Sequence, residues 1–292
     1  MASLQDFLQF VFSGLTAGAI YALIALGFGV VHQTMGIVNF TQVDFVSLGG
    51  MLAYTALVTA GLPGPAGLLC AAAGAAGVAL AVERLALRPS RSQSHLVLIF
   101  LTIGVSISLR GAMQIVWGKN RLAVPPLAGE EPLRVLGATV MPQTLWILAL
   151  TGLASAGLLA FFRRTRAGLA IRGVADNPTA AAVVGLSVGK IRALSFALAG
   201  ALGGLAGVLV TPISTLSYDV GVLLGLKGFS AAILGGFGSF PGALIGGLTL
   251  GLLESLAAAY LSSAYKDVVA FVVLLLVLFV RPQGLVARES GP

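Results

Sequence analysis

Residues 8–31 read LQFVFSGLTAGAIYALIALGFGVV, a run of 24 residues with no acidic or basic side chain. As a helix with a rise of 1.5 Å per residue, this run extends about 36 Å, which exceeds the roughly 30 Å thickness of a bilayer's hydrocarbon core. Gly14 and Gly18 lie one turn apart, and small residues at that spacing let a neighbouring membrane helix approach closely. The run therefore predicts a transmembrane helix with tightly packed neighbours.

The composition extends this prediction to the whole chain of 292 residues. Hydrophobic residues make up 58% and charged residues 9%, and the mean hydropathy is +1.01, whereas soluble domains are about a quarter charged. We predict an all-α, polytopic integral membrane protein whose residues 1–292 form a single transmembrane domain with eight or nine crossings. The predicted segments lie near 8–31, 45–60, 64–83, 96–117, 143–162, 193–213, 222–238, 241–261 and 267–280. The segment 222–238 contains a lysine and five glycines, which suggests a re-entrant or broken helix.

The basic residues predict which loops face the cytoplasm. Loops 84–95 and 163–192 hold nine of the 17 lysines and arginines, whereas 118–142 balances three basic residues against two glutamates. The positive-inside rule places the first two loops in the cytoplasm and the third outside. Nine crossings then put the N-terminus outside. Because the cytoplasmic loops account for much of the net charge of +7, we expect no nucleic-acid partner.

Motifs for catalysis or nucleotide binding are incomplete. The chain has two histidines, His32 and His95, far apart in sequence, and they do not have the spacing of a metal site. GLSVGKI, residues 185–191, resembles a phosphate-binding loop but is one residue short between its glycines. It also ends in Ile191, where a Ser or Thr must reach magnesium. We predict that the chain is not an enzyme and holds no cofactor or metal, so that another chain binds any ATP-Mg.

The most basic loop contains the signal for a short helix. Asp176-Asn177-Pro178 predicts a turn and a helix start, since Asp or Asn can cap a helix and Pro suits its first turn. The helix would run from Pro178 through Val184 and end at Gly185. A helix this short is unstable alone in water. We therefore expect a groove on a partner to hold it.

A known loop motif is similar to this short helix. TAAAVVG, residues 179–185, resembles the Glu-Ala-Ala-x-x-x-Gly loop of ABC-transporter permeases, with Thr179 in place of the Glu. In that superfamily the loop forms a coupling helix that docks in a cleft of the ATPase subunit. The resemblance implies an ATPase-coupling surface in the loop 163–192, formed by Asp176, Asn177, Pro178, Thr179, Ala180, Ala181 and Gly185.

Longer stretches resemble the branched-chain amino-acid (Leu/Ile/Val-type) ABC permeases, and the length matches the shorter of their two permease subunits. They are GIVNFTQVDFVSLGGMLAY (36–54), ERLALRPSR (83–91), LTIGVSISL (101–109) and GLKGFSAAILGGFGSFPGALIGGLTLGLLES (225–255). The resemblance implies a subunit of a bacterial ABC importer in the inner (plasma) membrane. Its implied partners are a second permease, two cytoplasmic ATPases and a periplasmic solute-binding protein.

One departure from the family pattern bears on the solute. The family's Ala-His-Gly is replaced by Thr41-Gln42-Val43, and its acidic residue is Asp44. The implied solutes are therefore branched-chain amino acids or related small amino-acid and amide solutes.

Polar residues inside the predicted spans are candidates for function, because such groups are costly unless they face a cavity or a partner. We predict that the translocation path or its gate includes Asn39, Phe40, Gln42, Asp44, Thr102 and Ser106. Capping of a broken helix by Asn39 or Asp44, and helix packing by Thr102 and Ser106, are the alternatives. Lys227 and Glu254 are expected to form a pair, since buried charges are usually paired. Arg110, seven residues before Trp117, is expected to extend towards the outer surface.

A self-sufficient channel or secondary transporter is the alternative function. Inverted repeats with paired broken helices would favour that class. The sequence indicates one glycine-broken segment, 222–238, rather than two in matching positions.

Overall fold

A computed structural model describes residues 4–90, 94–126, 129, 131–135, 137–281 and 283–286. Within these ranges the chain forms eleven α-helices and one two-stranded antiparallel hairpin. The elements are α1 (Leu4–Met35), α2 (Gln42–Tyr54), α3 (Gly64–Val82), α4 (His95–Trp117), β1 (Leu133–Val135), β2 (Ala138–Val140), α5 (Pro142–Arg164), α6 (Arg166–Asp176), α7 (Pro178–Val183), α8 (Val188–Val210), α9 (Val220–Gly235), α10 (Phe240–Tyr260) and α11 (Lys266–Val280). Thr55–Thr59 and Glu83–Leu87 continue α2 and α3 as π-helical turns. Arg91, in one of the basic loops, lies outside the described residues.

Each of the nine predicted segments coincides with a helix, namely α1 to α5 and α8 to α11. In the described part of the chain, six helices are long and apolar enough to cross a membrane, and α2, α9 and α11 are shorter. The irregular backbone predicted within 222–238 is found only at its end, because α9 is continuous and positive φ angles occur at Gly236 and Gly238. Inside α9, Gly225 lies so close to Val43 that a side chain there would collide, so this glycine permits close packing rather than a break.

The predicted cytoplasmic loops meet at one end of the helix bundle. His95, at the start of α4, lies against Gly36 after the end of α1, and Arg88 lies beside Gly189 at the start of α8. The β1–β2 hairpin instead contacts α1, and the backbone N–H of Thr139 in β2 donates to Gln9 near the start of α1 at 2.8 Å. The positive-inside rule thus assigns the start of α1 and the hairpin to the outer side.

Two sets of four helices, α1–α4 and α8–α11, share one arrangement but run in opposite directions. Each set begins with a long helix, which an irregular segment, 36–41 or 211–219, joins to a shorter helix. α1 packs antiparallel along α10, and α8 packs antiparallel along α3, so the contacts are preserved when the two sets are exchanged. The shorter helices α2 and α9 contact each other. The structure therefore contains two irregular segments in matching positions, 36–41 and 211–219, and neither is the segment 222–238 that the sequence indicated.

Glycines allow these long helices to pack with their backbones in contact. A Cβ atom on Gly251 of α10 would lie 2.3 Å from the backbone nitrogen of Gly18 in α1. A Cβ atom on Gly204 of α8 would lie 2.6 Å from the Cβ atom of Ala75 in α3. Both distances are shorter than van der Waals contact, so each interface requires glycine. Close packing of small residues is a main source of helix association in membranes.

Candidate translocation site and coupling surface

An ion pair between a buried carboxylate and a half-buried guanidinium joins α2 to α4. Asp44, with 1% of its surface exposed, lies in the first turn of α2. Its carboxylate accepts a hydrogen bond from Ser106 Oγ, and Arg110 Nε lies 3.1 Å from Asp44 Oδ1. Arg110 Nη2 also donates to Ser106 Oγ at 3.1 Å. Because Ser106 is the central residue of α4, this cluster lies about halfway along that span.

The expected outward extension of Arg110 is wrong. Its guanidinium turns towards Asp44, because a buried carboxylate within reach stabilises the charge and would otherwise be left unpaired. The sequence contained a usable signal for this pairing, since Arg110 lies four residues after Ser106 and therefore on the same face of the helix.

The irregular segment 36–41 brings the other predicted path residues close to the cluster of Asp44, Ser106 and Arg110. The backbone N–H of Phe40 donates to Thr102 Oγ1 at 3.2 Å, and Gln42 Nε2 donates to the Ala199 carbonyl of α8 at 3.1 Å. Asn39 Oδ1 accepts from the Thr41 N–H at 3.1 Å. Asn39 and Gln42 are fully buried. Among the described residues, Asn39 Nδ2 and Gln42 Oε1 have no hydrogen-bond partner.

The six predicted path residues are therefore neighbours, gathered where α2 begins between α4 and α8. Phe40 is half-buried, and its ring lies 6.4 Å from that of Phe229 in α9. The polar side chains mostly bond within the subunit, as the helix-packing alternative requires. A role in the translocation path stays a prediction.

A second charged cluster joins the middle of α9 to the outer half of α10. Lys227 Nζ lies 2.6 Å from Glu254 Oε1 and also 2.6 Å from Asp267 Oδ1 in α11. The Tyr21 hydroxyl of α1 donates to Glu254 Oε2 at 2.8 Å. The cluster thus joins four helices rather than the two predicted from Lys227 and Glu254. Asp267 and Tyr21 were missed because nothing in the sequence indicates which side chains a long-range fold brings together.

The predicted coupling helix is present as α7. The Asn177 side chain caps it by accepting from the Ala180 N–H at 2.9 Å, Pro178 occupies the first turn, and Gly185 has a φ of 87°. Asp176, Pro178, Thr179 and Gly185 are exposed. Ala181 is only 5% exposed, so this residue packs inside its own subunit rather than facing a partner.

A comparison with known protein families identifies the chain's class. The family model described as "Branched-chain amino acid transport system / permease component" matches residues 10–278. The chain belongs to this family. The LivH high-affinity branched-chain amino acid permease of Escherichia coli K12 is 36% identical over 97% of this chain and 96% of LivH. The BraD permease of Pseudomonas aeruginosa is 34% identical over 99% of both chains.

A solved structure supports the fold independently of sequence. PsaBC from Streptococcus pneumoniae, in complex with Fab, superposes with a TM-score of 0.50 over 95% of this chain and 92% of that chain, at 13% identity. As a member of the branched-chain permease family, the protein is a multi-pass transport subunit of an importer in the inner membrane. Inverted repeats were expected to favour a self-sufficient transporter, but the family match shows that they occur here in an importer's permease.

Proposed function

We propose that this permease moves branched-chain amino acids inward along a path that it forms with a second permease subunit. Two cytoplasmic ATPase subunits would bind and hydrolyse ATP-Mg, and a periplasmic binding protein would deliver the solute. The observation that carries this proposal is α7, a capped helix whose apolar tip nothing in the described chain covers. The names of LivH and BraD support the solute class.

The exposed tip of α7 consists of two valines. Val183 is 84% exposed and Val184 is 76% exposed, although the surrounding loop lies on the assigned cytoplasmic side and is strongly basic. Exposed apolar side chains at a protein's aqueous surface are typical of a protein–protein contact when they are contiguous. Ala181, which is buried, packs α7 against its own subunit. This geometry suits a short helix that transmits force from an ATPase to α6 and α8, which it contacts.

The cluster at the start of α2 supports a path that changes shape. An unpaired polar atom is expensive inside a protein, and Asn39 Nδ2 and Gln42 Oε1 are both buried without a partner among the described residues. In transporters, solute sites commonly lie where irregular backbone interrupts a membrane helix. We therefore assign to 39–44 a role in the gate, with those two atoms finding partners in another transport state.

Cross-linking tests the coupling surface. In a Cys70→Ser background, a Val183→Cys thiol carrying a photoreactive maleimide reagent is expected to attach to the ATPase in the assembled complex. Ala181→Cys is the matched control and should react poorly, because its site is buried. If Val183→Cys instead reacts with an impermeant thiol reagent added outside sealed spheroplasts, both the orientation and the coupling role are wrong.

Uptake tests the solute class. Proteoliposomes containing the complete complex and its binding protein are expected to accumulate leucine, isoleucine or valine only when ATP is enclosed with the ATPases. Acetamide and urea serve as the competing solutes. Transport of an amide, with no uptake of any branched-chain amino acid, would contradict the proposed solute class while leaving the coupling surface intact.

A further inference from the structure

A cavity on the assigned outer side of the molecule lies beside the Lys227 cluster. Its volume is about 550 Å³, within the range of small-molecule sites. A neighbouring cavity of about 300 Å³ shares Ser13, Ala17 and Tyr21 with it, so the two form one outer vestibule around the first half of α1. The residues that line the vestibule include none of those predicted for the path at the start of α2.

The charges of the larger cavity are separated by depth. Glu254 and Lys227 line the cavity and are 7% and 3% exposed, whereas Arg121 and Lys266 also line it but are exposed. Lys227 is shared between two carboxylates, those of Glu254 and Asp267. Only Glu254 of these two is buried, because the Asp267 side chain is 40% exposed and does not line the cavity. The deep end therefore holds one buried Lys227–Glu254 pair with a second, partly exposed carboxylate beside Lys227, while the rim is positive. Because Asp267 also neutralises Lys227, part of the negative charge of Glu254 stays available to a cation in the cavity.

The remaining walls of the cavity are largely apolar. Phe10, Val210, Val220 and Leu223 contribute to them, together with the hydroxyl groups of Ser13 and Ser214. A ligand complementary to this cavity carries a positive group at one end, a negative group near it and an aliphatic body. A zwitterionic α-amino acid with a branched aliphatic side chain has this chemistry.

We propose that the vestibule is an outward-facing binding site for such an amino acid, which rests on the solute class of the proposed function. The α-ammonium group binds Glu254, the α-carboxylate faces Arg121 and Lys266, and the side chain contacts the apolar wall. Lys227 need not lose its charge, because Asp267 remains as its partner when the ligand's ammonium group takes a share of Glu254. Tyr21 holds the Glu254 carboxylate in position by donating to Oε2.

Protection of a thiol measures this binding directly. Ser214→Cys, in the Cys70→Ser background of the complete complex in proteoliposomes, places a reactive group on the cavity's exposed wall. Leucine is expected to slow its reaction with an impermeant methanethiosulfonate reagent. 4-Methylpentanoate, which is leucine without its amino group, should not. Glu254→Gln, whose amide oxygen still accepts from Lys227, should raise the half-protecting leucine concentration about tenfold, the effect of losing one charge-assisted hydrogen bond.

Two controls separate binding from damage. Ala60→Cys, in the exposed turn after α2, should react at a rate that leucine does not change. The reaction rate of Ser214→Cys without leucine should be the same with and without Glu254→Gln, which shows that the cavity keeps its shape. The proposal is overturned if Ser214→Cys does not react from outside, if leucine fails to protect it, or if 4-methylpentanoate protects equally. ATP-dependent leucine uptake by the wild-type complex tests the proposed function separately.

Discussion

The shorter helices α2 and α9 each carry one buried charge, and each charge pairs with the last helix of its own set, but the two regions differ in balance and surroundings. Asp44 meets a single charged partner, Arg110, whose side chain is 31% exposed, so the charges of that region balance. Lys227 meets two carboxylates and lines a cavity of about 550 Å³. Each set of helices thus has a charged contact between its shorter second helix and its last helix, but the second helix carries an acid in one set and a base in the other. We infer that the Asp44–Arg110 pair holds α4 against α2 within the gate assigned to 39–44, and that the second carboxylate beside Lys227 leaves part of the Glu254 charge for a ligand.

Removal of Lys227 should have the largest effect. Lys227→Met leaves the Glu254 carboxylate buried without its cation, which costs about 3–5 kcal/mol, so the yield and melting temperature of the purified subunit should fall sharply. Adding Glu254→Gln should restore much of the loss, because no buried charge then remains unpaired. Equal instability of the single and double variants would show that the lysine acts through packing rather than charge.

Alanine substitutions at the close helix contacts test whether α1–α10 and α3–α8 pack equally closely. Gly251→Ala and Gly204→Ala should each destabilise the protein by up to about 3 kcal/mol, the upper range for overpacking, because the new methyl group meets neighbouring atoms at 2.3 Å and 2.6 Å. Gly77→Ala in α3 is the control, since no atom lies within 4 Å of its added methyl group. Thermal unfolding in detergent compares the three. If Gly251→Ala leaves the melting temperature unchanged while Gly204→Ala lowers it, the α1–α10 contact is looser than the α3–α8 contact.

Loss of the Asp44 carboxylate should have an intermediate effect. Asp44→Ala removes the acceptor of Ser106 and the partner of Arg110, which should cost about 2 kcal/mol, whereas Asp44→Asn retains an acceptor oxygen and should cost less. Leucine uptake per assembled complex is measured beside the melting temperature. We predict reduced uptake per complex from the assigned gate role. Normal uptake with only a lower melting temperature would restrict Asp44 to holding α4.

The neutral hydrogen-bond donors should matter least. Tyr21→Phe and Ser106→Ala each remove one hydroxyl that donates to a buried carboxylate, and side-chain hydrogen bonds between membrane helices average only about 0.6 kcal/mol. Similar small losses of stability are expected for the pair. Leucine protection of Ser214→Cys should weaken in Tyr21→Phe but not in Ser106→Ala, because only Tyr21 positions Glu254. If leucine protects Ser214→Cys equally well in Tyr21→Phe and in Ser106→Ala, Tyr21 does not contribute to the proposed binding site.

The spans, the side assigned to each loop and the short helix α7 were all predicted from the sequence. The spans and α7 are present in the structure, whereas the orientation stays a prediction. Each of these depends on local properties, namely about 20 apolar residues in a row, clustered arginines, or a cap followed by a proline and a glycine. The helix from Pro178 to Val183 was predictable to within one residue because its cap, its first turn and its end are all set by neighbouring residues.

Which polar residues meet could not be read from the sequence and is seen only in the folded protein. Arg110 pairs with Asp44 across 66 positions of sequence, and Glu254 is joined to Tyr21 across 233. The tertiary structure also revealed the inverted repeat, since that symmetry lies in helix directions and contacts rather than in a repeated motif. The physical reason is that a span's hydrophobicity fixes its depth in the membrane but not its rotation or its neighbours. Those depend on the packing of small residues such as Gly18 and Gly251, and therefore on the whole bundle.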